Sequence, residues 1–397
     1  MSDARTFIRI FGFVYSALLI WSLNFERPEF RAWEMLKDPE TEFFYPNLTV
    51  EMTEVGDLGF RAWIPSLQRP RAGLFSTDRY GFRNPQGIEQ PRVVLLGDSF
   101  VAGSGLRDDQ TLAAQLGRLL GEPVYSVACE TANSPSLYLS DPRFFEHPPR
   151  VVVFSPVNRL VMPLRFHEIL PLNRRPPREP RAWTLDSIAQ ELRHANQVLG
   201  RDNGLSRAMR YGYNEIVYSV FGHPDVIVAD GEPAIALPLQ EQKCSLTPEQ
   251  RGLERAIATT KQFAQMIGTR GTTLVYAPIP DSAEVYPELF REDERDRCAR
   301  PSLFDVLVPE ARAAGITAVD LRDVFRLNKT PYLYLRDDSH WNPRAVGLAA
   351  EALAEAIRPL LADDKDRPVA FRAPQSGDAP SARSRLGSTS TPRDRQP

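Results

Sequence analysis

Short apolar runs alternate with amphipathic stretches through the middle of the chain. Val93–Leu96, Val124–Val127, Val151–Phe154, Thr273–Tyr276 and Thr317–Leu321 are each four to five residues long and mostly apolar. Runs of this length predict strands buried on both faces, the habit of parallel sheets. A helical pattern around Leu112, Leu116, Leu119 and Leu120 follows the first run, and another spans Pro343–Leu361 at the end. Right-handed crossovers between such strands give a three-layer, doubly wound α/β sandwich.

More than 100 residues, Arg159 to Gly271, separate the third and fourth runs. This stretch holds the cluster Arg174-Arg-Pro-Pro-Arg-Glu-Pro-Arg and helical patterns near 184–199 and 248–267. It is too long for a crossover helix alone, so 159–245 is read as an insertion into a catalytic domain spanning 75–362. A Pro- and aromatic-rich lead-in covers 26–74. From about Asp363 the composition collapses into Pro, Ser, Arg, Asp and Gly, with Leu386 the only large aliphatic residue after Phe371. The tail 363–397 is expected to be disordered, because it has too little apolar surface to bury.

The N-terminus carries an apolar run of its own. Its uncharged part, Ile10–Leu23, has 14 residues, short of the ~20 that a spanning helix needs. Counting from Phe7 to Phe25 gives 19, if Arg9 extends its side chain to the interface. Trp21 and Phe25 would then sit at the far boundary. Residues 1–25 are read as an uncleaved, single-pass signal anchor. Arg5 and Arg9 on the N-terminal side place that end inside and the body in the periplasm. A cleaved signal, an interfacial helix and a core helix are the alternatives, and Asn24-Phe25-Glu26-Arg27 makes a poor cleavage site.

Composition narrows the function classes. The 397 residues include 48 basic and 51 acidic side chains, a net charge of −3, which argues against nucleic-acid partners. Cys129, Cys244 and Cys298 form no CxxC pair and no metal-ligand spacing. They read as isolated thiols, with a Cys244–Cys298 disulfide open if the body lies outside the cytoplasm. Without an HExxH motif or a P-loop, no metal or nucleotide cofactor is expected.

The chemistry concentrates in two segments. In Arg92-Val-Val-Leu-Leu-Gly-Asp-Ser-Phe-Val-Ala-Gly-Ser-Gly an apolar strand runs directly into Gly97-Asp98-Ser99. Gly97 permits a sharp turn that lifts Ser99 out of the carboxyl edge of the sheet, where open α/β folds place their sites. A serine there needs a base to become a nucleophile. Of five histidines, only His340 sits beside acids at the mouth of a helix, in Tyr334-Leu-Arg-Asp-Asp-Ser-His-Trp-Asn-Pro. Either Asp338 or Asp337, two and three residues earlier, is placed to orient its imidazole.

These segments resemble the SGNH (GDSL-type) hydrolases. Gly97-Asp98-Ser99-Phe100 is similar to their first block and Asp338-Ser339-His340-Trp341-Asn342 to their last. The Asp-x-His-Trp ending resembles the alginate O-acetyltransferase-like branch in particular. Gly81-Phe82-Arg83-Asn84 and Ala277-Pro-Ile-Pro-Asp-Ser-Ala-Glu-Val-Tyr-Pro fit that branch as well. The resemblance implies a flavodoxin-like strand order and acyl transfer through Ser99. It also implies an acetylated cell-surface or exported polysaccharide, and a membrane-bound acyl-donor protein at the inner membrane as partner. An esterase with the same triad and a non-catalytic anchored scaffold are the rival readings. The family's general Asp-x-x-His spacing selects Asp337, and the branch's Asp-x-His selects Asp338, which the flanking Trp341 and Asn342 favour. Further oxyanion donors are implied after the second and third strands. The second exit, Cys129-Glu-Thr-Ala-Asn-Ser-Pro, lacks the family's glycine, which leaves a backbone N–H near Thr131, or Asn133. The third offers Asn158, to act beside the Ser99 N–H.

Overall fold

The computed structural model describes residues 2–23, 36, 44–128, 134–161, 164, 204–223, 225–237, 250–291 and 302–362. In chain order the strands are β1 (Thr49–Glu54), β2 (Arg71–Ser76), β3 (Val93–Gly97), β4 (Val124–Ser126), β5 (Val151–Ser155), β6 (Val226–Ala229), β7 (Glu232–Ile235), β8 (Thr273–Tyr276) and β9 (Thr317–Ala318). Five of them form a parallel sheet in the order β4-β3-β5-β8-β9. This is the doubly wound, flavodoxin-like order. β1/β2 and β6/β7 are separate antiparallel hairpins.

The alternation of side chains along each strand explains the two-sided burial. Val93, Leu95, Val151 and Val153 enter one apolar cluster, with Leu112, Leu116, Val346 and Leu353 of the helices Leu112–Leu120 and Pro343–Ala362. Val94, Leu96, Val152 and Phe154 face the other, with Phe263, Ile267 and Leu307 of the helices Gln250–Gly268 and Phe304–Ala313. A period of two with both faces covered is what a near-continuous apolar run specifies. Each fully buried Val or Leu contributes roughly 1.5–3 kcal/mol relative to exposure.

The register positions the site. Gly97 of β3 lies opposite Ser155 of β5, so the residues after both strands emerge side by side at the carboxyl edge. The last run is strand only over Thr317–Ala318. Asp320 accepts from the N–H groups of Arg322 and Asp323 and so caps the helix Leu321–Leu327, ending the strand early.

The lead-in is built into the domain. Its β1 pairs with β2 from Thr49↔Ser76 to Glu54↔Arg71. Leu58, Ile64 and Leu67 pack with Ile235 and Leu237, which join the lead-in to the described part of the insertion. That part holds the helix Gly204–Phe221 and the β6/β7 hairpin. The Arg174–Arg181 cluster, the 184–199 pattern, all three cysteines and the 363–397 tail lie outside the described residues.

A helix does form over Ser2–Leu23, but the structure does not support a transmembrane anchor. Among the described residues no helix is long and apolar enough to cross a membrane. Arg9 interrupts the apolar run, and Phe25 and the side chains from Leu18 onward lie outside the described residues.

Candidate active site

Ser99 opens a short helix, Ser99–Ala102, directly after β3. A side chain at Gly97 would place its Cβ 2.3 Å from Val101 Cγ2 and 2.8 Å from the Ser155 carbonyl oxygen, so the turn into Ser99 requires glycine. Asp98 fastens the turn on both sides. Its Oδ1 accepts from the Phe100 N–H at 3.0 Å and its Oδ2 from the Val157 N–H at 2.8 Å. Burial pushes the Asp98 carboxyl upward, opposed by those two N–H groups.

His340 arrives from the loop before the last helix. Trp341 Nε1 donates to the Phe100 carbonyl at 3.0 Å, and the Phe100 ring lies 4.4 Å from the imidazole, centroid to centroid. The Ser99 turn and the His340 loop are thus locked together through Phe100. Ser99 Oγ lies 2.8 Å from His340 Nε2, and His340 Nδ1 lies 2.6 Å from Asp338 Oδ1. A carboxylate accepts only, so Nδ1 carries the proton and Nε2 is the acceptor for the serine hydroxyl. Ser99 is 8% exposed and His340 1%, so the row is largely screened from water.

Asp337 does not touch the imidazole. Its carboxylate accepts from the Gly56 N–H (2.8 Å), the Arg69 N–H (2.9 Å) and Arg71 Nη1 (2.7 Å). Arg71 Nη2 reaches Asp338 Oδ2 at 3.1 Å, and the Asp57 N–H donates to the same oxygen at 3.2 Å. Asp57 in turn accepts from the Ser339 N–H and hydroxyl, both at 2.7 Å.

The loop after β5 presents Asn158, next to Val157, whose N–H is bound by Asp98. The Asn158 N–H donates to Ile279 O at 2.9 Å, and its Oδ1 accepts from the Asp281 N–H at 3.2 Å. With Oδ1 so engaged, Nδ2 is the donor end of the amide, the end an oxyanion needs. Arg159 pairs with Asp281, and its guanidinium lies over the Phe100 ring, 5.1 Å from the centroid. Burial raises the Asp281 carboxyl to about 6 in spite of Arg159. Thr131 and Asn133 lie outside the described residues.

Asp57, Asp338 and His340 each offer an atom within 4.8 Å of the others, a spacing a metal could use. Those groups are already committed to Ser339, Arg71 and Ser99, so the cluster serves hydrogen bonds and does not fit a cation. Asp281 was met only within the Ala277–Pro287 segment, and Gly56, Asp57 and Arg71 escaped the reading of the sequence. The one signal that pointed to them was indirect: adjacent aspartates in a buried loop call for a cation and N–H donors from elsewhere.

Residues 239–388 match the family model described as "SGNH hydrolase-like domain, acetyltransferase AlgX". "Probable alginate O-acetylase AlgJ" of Pseudomonas aeruginosa is 32% identical over 144 residues, 36% of this chain and 36% of that protein. Its counterpart in Pseudomonas putida is 31% identical over 106 residues, 26% of this chain and 27% of that protein. The matched stretches thus span about a third of those relatives' lengths. Among solved structures, a putative lipolytic protein of the G-D-S-L family from Desulfitobacterium hafniense is 11% identical. It covers 66% of this chain and 98% of that one, with a TM-score of 0.33.

Proposed function

We propose, from the resemblance to the SGNH hydrolases on their alginate O-acetyltransferase-like branch, that this protein transfers acyl groups through an acyl-Ser99 intermediate. The observation that carries the reading is the row Ser99 Oγ–His340 Nε2–His340 Nδ1–Asp338 Oδ1, at 2.8 and 2.6 Å. Ser99 Oγ attacks the acyl carbonyl as its proton passes to His340 Nε2. The new C–O bond forms, the carbonyl π pair moves onto oxygen, and the Ser99 N–H and Asn158 Nδ2 stabilise that charge. Collapse expels the donor's alkoxide or thiolate, which takes the proton from His340. An acceptor hydroxyl then repeats the sequence in reverse and frees Ser99. Asp338 holds the tautomer and stabilises the imidazolium in both halves.

The acetylase relatives support an enzyme of acyltransferase or esterase type. Within that range we favour transfer to a hydroxyl of an exported polysaccharide, supplied by a membrane-bound acyl-donor protein. Hydrolysis by the same triad is the alternative. We place the body outside the cytoplasm because the branch it resembles acts on an exported polysaccharide. The exposed Ile8, Phe11 and Phe13 of the N-terminal helix support contact with the membrane.

Fluorophosphonate labelling tests the nucleophile, with peptide mapping to find the adduct. Modification of Ser99 is expected, and its absence under conditions that label a control serine esterase contradicts the reading. Incubation with a radiolabelled acetyl donor and polysaccharide then separates the branches. Transfer yields labelled polymer, and hydrolysis yields labelled acetate.

A further inference from the structure

We propose that Arg71, which lies in the lead-in hairpin remote in sequence from both site segments, is a positioning residue that sets the orientation of Asp338 towards His340. The inference rests on the reading of Ser99, His340 and Asp338 as an acyl-transfer triad.

Asp338 has two oxygens, and only one of them can serve the imidazole. Oδ1 faces His340 Nδ1 at 2.6 Å and also accepts the His340 N–H at 2.9 Å. Oδ2 is held from behind by Arg71 Nη2 at 3.1 Å and the Asp57 N–H at 3.2 Å. The carboxylate plane is therefore fixed by contacts at both ends. Arg71 is the charged contact and the one with a planar fork suited to it.

The same guanidinium solves a second problem. Asp337 is fully buried beside Asp338, and Glu54 stands opposite Arg71 in the β1/β2 ladder. Arg71 Nη1 binds Asp337 Oδ1 at 2.7 Å while Nη2 binds Asp338, so one cation bridges two adjacent carboxylates. Burial lowers the Arg71 pKa, but Asp338 and Asp337 outweigh it and leave the group raised. It stays charged throughout the working range. Without Arg71, two adjacent anions repel in a dry pocket, and Asp338 is free to rotate away from the imidazole.

Arg71→Met, Arg71→Lys and the double variant Arg71→Met/Asp337→Asn test this. Two readouts are used: kcat and KM with an activated acetyl ester, and the downfield NMR signal of the proton between His340 Nδ1 and Asp338. Arg71→Met is expected to lower kcat by roughly tenfold to a hundredfold, by analogy with the partners that orient metal-bound histidines. KM should change little, and the downfield signal should be lost. Arg71→Lys should restore part of kcat and the signal. The double variant removes one charge of each sign, leaves the net charge unchanged and should fold as the wild type, yet keep the low kcat and lack the signal. A double variant with wild-type kcat and signal overturns the proposal, since Arg71 would then only neutralise Asp337. Unchanged kcat and signal in Arg71→Met overturn it as well. The NMR readout needs no turnover, so failure of the acyl-transfer reading is seen separately, as absent Ser99 labelling with the signal intact.

Discussion

Asp338 Oδ1 lies 2.6 Å from His340 Nδ1, whereas its neighbour Asp337 is bound by Gly56, Arg69 and Arg71. The two adjacent acids therefore have separate duties. Replacing Asp338 by Asn exchanges a pure acceptor for an amide and favours the wrong imidazole tautomer. Asp338→Asn is expected to lower kcat about ten-thousand-fold, as in other triads, and Asp337→Asn by less than about tenfold at the same scale of comparison. Steady-state kinetics of the two purified variants checks this. Equal, small losses would mean that another group orients His340.

Gly56 packs directly against the site loop. A Cβ there would stand 1.9 Å from the Asp337 carbonyl oxygen and 2.7 Å from Asp338 Cβ. Backbone cannot yield as a flexible side chain does, so Gly56→Ala must push the Asp337–Asp338 segment away. A loss of about 1–3 kcal/mol in stability, as for overpacking elsewhere, is expected in urea denaturation. Activity should fall by more than the unfolded fraction explains. Wild-type activity and stability together would show that the hairpin does not support the loop.

Asp281 gives a pH signature. Burial raises its carboxyl in the folded state to about 6, from an ordinary 3.8. Between those values the native state binds more protons than the unfolded chain, so this group's contribution to stability falls as pH rises and levels off above about 6. The swing is on the order of 2 kcal/mol. Urea denaturation from pH 4 to pH 7 should show the decline in the wild type and a flatter profile in Asp281→Asn. Parallel profiles would mean that Asp281 does not titrate in this range.

The orientation of the chain is open to a direct assay. With the body outside the cytoplasm, as proposed, a C-terminal alkaline phosphatase fusion should be active and a green fluorescent protein fusion dark. The opposite pair of results would put the body in the cytoplasm.

The sheet was legible in the sequence because parallel strands buried on both faces leave apolar runs that polar segments cannot imitate. Ser99 and His340 were legible for a related reason: a strand that ends in Gly-Asp-Ser, and a histidine beside acids before a helix, carry their chemistry locally. The choice between Asp337 and Asp338 was legible only through the resemblance, whose Asp-x-His spacing favours Asp338. It depends on which oxygen meets Nδ1, and Arg71 and the Asp57 N–H, remote in sequence, hold the other oxygen of Asp338. The Pro- and aromatic-rich lead-in did not betray its part, because the β1/β2 hairpin aims Arg71 at the site without any motif. The early end of β9 came from a single cap, Asp320, which turns an apolar run into helix.

The most direct test of the account is to trap the acyl-enzyme. Ser99 Oγ is 2.8 Å from His340 Nε2, the proposed base, so brief exposure to an activated acetyl ester, followed by acid quench and peptide mass spectrometry, should find one acetyl group on the peptide containing Ser99. The adduct should disappear in Ser99→Ala and on addition of an acceptor polysaccharide to the wild type. An acetyl group on another residue, or equal labelling of Ser99→Ala and wild type, would contradict the account.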